Sequence, residues 1–208
     1  MTVVSISAQL GLLAAWLLTL NVVLGLLLSV HYNPLKRWPY KRINYFTFHN
    51  WTGYVALALS AAHALLLPLS ATAGWVWKDV LWPSAVPLQP TLNILGALAL
   101  YMLLLVVVTS WVRRRIGRKV WKTVHWVAYA CAMLFYVHGL FVDQRLTGDP
   151  VNLLDTEKLS IVGCFALVAW ATWMRLRWEL RRRNVGKAAK VEEHWDAPVP
   201  TEWAEAEG

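Results

Sequence analysis

The sequence predicts an all-α polytopic membrane helix bundle with about five transmembrane helices, and three observations carry that prediction. Hydrophobic residues make up 58% of the chain and charged residues 15%, with 14 Trp in 208 positions, a balance too apolar for an ordinary water-soluble domain. Apolar stretches at about 8–30, 47–70, 90–111, 121–141 and 159–178 each approach the roughly 20 residues a helix needs to cross hydrocarbon. None has the period-two alternation of a membrane strand.

The first stretch follows "MTVVSISAQL", which has no basic residue ahead of the apolar run and no small-residue cleavage site behind it, so it is expected as a retained helix. The second, "FHNWTGYVALALSAAHALLL", carries His49 and His63. After the third comes a basic loop holding Arg113, Arg114, Arg115, Arg118 and Lys119. The fourth, "KTVHWVAYACAMLFYVHGLF", carries His125 and His138. The fifth ends in Arg175, Arg177, Arg181, Arg182 and Arg183. Cys131 and Cys164 fall inside spans with no CxxC or CxxCH, which supports neither a disulfide framework nor covalent c-type haem. Buried, inert thiols are expected.

Charge sets the expected orientation. The loop after the first stretch holds Lys36, Arg37, Lys41 and Arg42, so it, the loop after the third and the segment after the fifth are the basic ones and belong in the cytoplasm. The other two loops, with Lys78, Asp79, Asp143, Arg145, Asp149, Asp155, Glu157 and Lys158, are neutral to acidic and face outward. The N-terminus is then outside and the C-terminus cytoplasmic. A net charge of +8 needs no nucleic acid partner, since most of it is positive-inside charge that also attracts acidic membrane lipids. Trp38, Trp51, Trp75, Trp77, Trp82, Trp111, Trp121 and Trp178 lie near span ends, as interfacial anchors do. The organisation read from this is a membrane bundle over 1–183 and a disordered cytoplasmic tail over 184–208.

The four span histidines sort by depth. Both of their helices enter from the cytoplasm, which puts His49 and His125 near the inner surface, with His63 and His138 about 20 Å further out at ~1.5 Å per residue. A lone transmembrane histidine is more often a hydrogen-bonded packing residue than a ligand, but four at matched depths on two parallel helices ask for a common cause. At each level an imidazole from one helix can face one from the other, as the two axial ligands of a six-coordinate haem iron do. His31 and His194 have no such partner. The helical wheel fits only half of this. At about 100° per residue, the fourteen-residue step from His49 to His63 returns within roughly 40° of one face, while the thirteen-residue step from His125 to His138 falls about 140° short. Either the fourth helix is locally rewound by a bend or π-bulge, or the two sites sit at different azimuths.

The paired H-x13-H and H-x12-H spacings, the "FHNWTGY" opening and the "GRKVWKTVHWVAY" entry resemble the ferric reductase-like transmembrane domain, the haem core shared by ferric reductases and NADPH oxidases, over roughly 8–178. The resemblance implies two stacked b-type haems, with His49 and His125 on the inner and His63 and His138 on the outer. No Gly-rich dinucleotide fingerprint or flavin motif follows the fifth stretch, so the chain more nearly resembles stand-alone bacterial members. It is expected in a bacterial inner membrane, as an oxidoreductase component needing a separate donor.

The expected function is transmembrane electron transfer from a cytoplasmic flavoprotein or other donor to an external acceptor, whether ferric chelate, quinone, oxygen or redox protein. Arg113, Arg114, Arg115, Arg118, Lys119, Lys122, Lys41 and Arg42 are candidates for holding inner propionates or an acidic donor. Arg145, just beyond His138, is the candidate for an outer propionate, and Gly53 and Gly139 are candidates for making room for a porphyrin, beside the helix packing that small residues also serve. Two alternatives stand beside this reading: a haem-containing membrane anchor for a redox complex, and a histidine-based metal or proton transporter.

Overall fold

The computed structural model of the protein describes residues 2–30, 44–143 and 154–195, with side chains up to 184. Lys36, Arg37, Lys41, Arg42, Trp38, His31, Arg145, Asp149 and 196–208 lie outside the described residues, as does the His194 side chain. In chain order the helices are α1 (Val3–Ser29), α2 (Tyr45–Leu66) with a 3-10 turn (Leu67–Leu69), α3 (Trp77–Leu81), α4 (Pro90–Trp111), α5 (Arg113–Ile116), α6 (Arg118–His125), α7 (Val127–Phe141) and α8 (Thr156–Trp195). Among the described residues there is no strand. Among the described residues, five segments are long and apolar enough to cross a bilayer: Val3–Ser29, Tyr45–Leu69, Pro90–Trp111, Arg118–Phe141 and Thr156–Asn184. The protein is therefore an all-α integral membrane protein, with its spans where hydropathy puts them.

Local chemistry sets the helix ends. The Thr2 hydroxyl accepts from the Ser5 amide at 3.1 Å to start α1, and the Asn44 side chain accepts from the Phe46 and Thr47 amides to start α2, each satisfying amides that a helix N-terminus leaves free. Pro90 occupies the first turn of α4, where its missing N–H costs nothing. Just before it, the Gln89 side chain accepts from the Asp143 amide at 2.6 Å, tying the start of α4 to the end of α7. Gly117, at φ +81°, separates α5 from α6 in a backbone conformation that side-chain-bearing residues rarely adopt.

Two compact units are distinguished, Met1–Ala169 and Trp170–Gly208. In the first, α1 packs on α2, α4 on α7, and the two pairs meet through α1 with α7 and α2 with α4. Ala14, Ala15, Ala56, Ala99 and Ala132 are fully or almost fully buried, so small side chains let the backbones approach closely, as membrane helices require. Leu18, Leu103, Cys131, Tyr136, Ile161 and Val168 form one buried apolar cluster. Within this unit the Thr19 hydroxyl donates to the Ala15 carbonyl at 2.7 Å, so Tyr136 is the donor in its 2.7 Å bond to Thr19.

In the second unit, Arg177 lies over Trp173 at 4.6 Å and Arg182 over Trp178 at 4.8 Å, while Arg183 pairs with Glu179 at 3.0 Å. Each pair is one helical turn apart, and the aromatic faces carry the guanidinium stems as interfacial arginines need. The backbone of α8 stays helical to Trp195, past residue 184, where the sequence reading starts a disordered tail. Strong helix formers, Lys187, Ala188, Ala189, Lys190, Glu192 and Glu193, fill that stretch.

Candidate functional site

The four histidines pair as their depths require. His49 on α2 faces His125 at the end of α6 with ring centres 6.3 Å apart, and His63 faces His138 on α7 at the same 6.3 Å. The thirteen-residue step is accommodated at Trp126, where the helix breaks between α6 and α7. There the Trp126 amide bonds the Thr123 carbonyl and the Tyr129 amide bonds the Trp126 carbonyl, each a three-residue closure. Such closures overwind a helix and so reduce the shortfall left by an ideal wheel. The break is a tightened one, with no π-bulge between His125 and His138.

Each ring is held from behind. Nδ1 of His63 donates to the Ser7 carbonyl at 2.8 Å, Nδ1 of His49 to the Asn21 carbonyl at 3.1 Å, and Nδ1 of His138 to the Leu92 carbonyl at 2.8 Å. A carbonyl has no proton to give, so in these three rings Nδ1 carries the hydrogen and Nε2 keeps its lone pair. On α1 the latch is double. The Ser7 hydroxyl also donates to the His63 carbonyl at 2.8 Å, and the Asn21 amide donates to the His49 carbonyl and to the Thr52 hydroxyl.

Glycine makes these approaches possible. A Cβ on Gly11 would lie 3.1 Å from the His63 ring, one on Gly25 3.2 Å from His49, and one on Gly96 2.8 Å from His138. Each glycine stands four residues after the carbonyl that its histidine uses. The fourth ring differs: His125 Nδ1 lies 3.4 Å from the Ser110 hydroxyl, at the position fourteen residues beyond Gly96.

A cavity opens at the His63 and His138 level, lined also by Gly11, Gly96, Asn93 and Asp79. Lys158 is buried beside it and donates to the Gly139 carbonyl at 2.9 Å and the Val142 carbonyl at 2.6 Å. At the other level the Tyr45 hydroxyl is the one buried side-chain polar atom without a hydrogen-bond partner among the described residues. It sits four residues before His49, on the same helix face.

Haem fits these residues. A metal bonded at ~2 Å to each imidazole nitrogen, with about 1 Å more from nitrogen to ring centre, spaces two ring centres about 6 Å apart. Both pairs have that spacing, free Nε2 atoms in at least three rings, and room that a glycine leaves. Among the described residues no three His, Cys, Asp or Glu side chains converge as a metal cluster.

A family model described as the ferric reductase like transmembrane component matches residues 10–136. The chain belongs to that family. Ferric reductase-like domains are generally haem-binding, and the match takes in His49, His63 and His125. Neither the curated proteins nor the solved structures include a match to the chain.

Other sequence candidates fall less centrally. Arg118 and Lys122 are exposed on α6, seven and three residues before His125 and on its face of the helix. Arg113 lies 4.5 Å from the Phe46 ring centre. Gly53 does not open space at a histidine: a Cβ there would meet the Asn21 side chain at 3.3 Å, so it serves the packing of α2 on α1, whereas Gly139 lines the cavity and abuts Ile161. Gly11, Gly25, Gly96, Ser7, Asn21 and Tyr45 were not legible as site residues by type. The fourteen-residue repeat of Gly11 and Gly25, equal to that of His49 and His63, is the signal that points to them.

Proposed function

We propose that the protein is a di-haem b-type cytochrome that transfers electrons across the membrane, from a cytoplasmic donor to an external acceptor. The observation that carries this reading is the repetition of one arrangement at two depths: facing imidazoles 6.3 Å apart, backed by main-chain carbonyls that leave Nε2 free to ligate. A haem held between each pair would supply a one-electron iron couple, and levels about 20 Å apart along the spans give electrons a path through the bilayer.

The chain's own residues do the rest. His49 and His125 hold the inner level and His63 and His138 the outer. A haem held by both imidazoles of a level would leave no place on the iron for an acceptor, so transfer to acceptors would be outer-sphere. Tyr45 offers a donor to an inner propionate; Arg145, seven residues after His138, and Lys158, bonded to the last turn of α7, are the candidate cations for the outer level. The basic run through α5 and α6, with Arg113, Arg114, Arg115, Arg118, Lys119 and Lys122, favours encounter with an acidic flavoprotein on the cytoplasmic side. That assignment of sides rests on the positive-inside distribution, which also suits a bacterial inner membrane.

The test is an absorption spectrum of the purified protein, oxidised and reduced. Low-spin b-type bands amounting to two haems per chain, reducible by a small electron carrier, are expected. A protein that purifies folded and colourless overturns the proposal and leaves the transporter reading. Haem that stays unreduced by carriers on either side points instead to a structural anchor.

A further inference from the structure

The four histidine supports are three of a kind and one exception. Ser7 with Gly11, Asn21 with Gly25 and Leu92 with Gly96 each provide a carbonyl and, four residues on, a glycine that lets the imidazole reach it. The fourth position of the pattern is Val106 with Ser110. Here His125 Nδ1 stops at the Ser110 hydroxyl, 3.4 Å away. The same hydroxyl accepts from the Trp121 indole N–H at 3.3 Å, and the Trp121 ring lies over the His125 ring with centres 5.1 Å apart.

Resting on the haem reading above, we propose that Ser110 is a positioning residue that makes His125 the weakest electron donor of the four axial imidazoles and so raises the reduction potential of the inner level. A strong acceptor at Nδ1–H increases the basicity of a ligating imidazole, and a more basic axial ligand stabilises ferric iron and lowers the potential. A main-chain carbonyl is such an acceptor. A hydroxyl already shared with an indole is a poorer one, and it leaves the tautomer of His125 unfixed. Ser110 carries a Cβ at the position where the other three supports have glycine.

Two substitutions at this position act in opposite directions. Ser110→Gly opens the Val106 carbonyl to His125, and Ser110→Ala removes the hydroxyl while keeping the Cβ. Redox titration of the full-length protein in lipid, followed by its visible bands, should show two transitions, with the inner one identified by its loss in His125→Ala. Ser110→Gly should shift that transition to lower potential and Ser110→Ala to higher, while the outer transition stays in place. Ser110→Thr retains both Cβ and hydroxyl and should titrate like the unmodified protein, which separates the effect from a general disturbance of α4. Two transitions that ignore position 110, or move the same way in the Gly and Ala variants, overturn this inference alone. If the unmodified protein has no low-spin transitions, the haem reading falls and this inference with it.

Discussion

His63 and His138 meet with their ring planes crossed at 69°, and His49 and His125 repeat the relationship at 64°. Crossed axial imidazoles donate into two different iron dπ orbitals and leave them close in energy, which enlarges the g anisotropy of a low-spin ferric centre. Electron paramagnetic resonance of the oxidised protein should therefore show strongly anisotropic low-spin signals from both levels. Rhombic spectra with closely grouped g values would mean that the planes turn parallel when iron is bound.

The two levels should be chemically separable. His63→Ala or His138→Ala is expected to remove about half of the haem and leave the remaining bands close to their original position, because the pairs share no ligand. Haem content per folded chain, measured after extraction, checks this. Complete loss from either change would show that the sites assemble as one.

Glycines along the spans should divide by what stands against them. A methyl group on Gly96 would lie 2.8 Å from the His138 ring, so Gly96→Ala should displace that ring, cost about 1–3 kcal/mol as overpacking and deplete the outer haem. Gly163 has nothing within 4 Å of its added Cβ, and Gly163→Ala should be neutral or stabilising by up to ~1 kcal/mol from helix propensity. Thermal melts of the two variants in detergent decide it, and equal effects would contradict the cradle assigned to Gly96.

Lys158 holds the last turn of α7 through the Gly139 and Val142 carbonyls. Lys158→Met leaves both without that donor and is expected to cost about 1–3 kcal/mol for each carbonyl left unsatisfied, with the outer haem lost before the inner on heating. Loss of the two haems at a common temperature would contradict this placement.

Orientation has a direct readout. A reporter after Gly208 should be cytoplasmic and one before Met1 external, following the arginine-rich segments. The opposite result would move the donor to the other face.

The spans were legible because hydrocarbon imposes length and composition on any helix that crosses it, and the depth pairing of the histidines was legible because residue number converts directly into rise. Azimuth was not. It turns on the tightened backbone at Trp126, which nothing in the local composition marks. The supporting glycines were hidden for a related reason: small residues are common in membrane helices, and only the equal spacing of Gly11 and Gly25 with His49 and His63 distinguishes them. Gly53, one turn from His49, stands against the Asn21 side chain and takes the packing role that small residues also have in membrane helices. Arg145 lies outside the described residues, while Lys158, thirteen positions later, comes to the outer level by tertiary packing alone.

The hydrogen bond from Tyr136 to Thr19 ends at the Ala15 carbonyl, a dead end for a proton, and Tyr136 packs with Leu18, Leu103, Cys131, Ile161 and Val168 in one apolar cluster. Protons pass through proteins along unbroken chains of groups that both give and accept, and this one stops after two hydroxyls. On the proposed function, an electron crossing the bundle would gain no compensating proton by this route, so its transfer would be electrogenic. Moving one charge through the full membrane potential involves ~2.3 kcal/mol per 100 mV. The rate of outward electron flow should therefore respond to the polarisation of the membrane, which would make the cell's energetic state a regulator of the protein without any dedicated sensor.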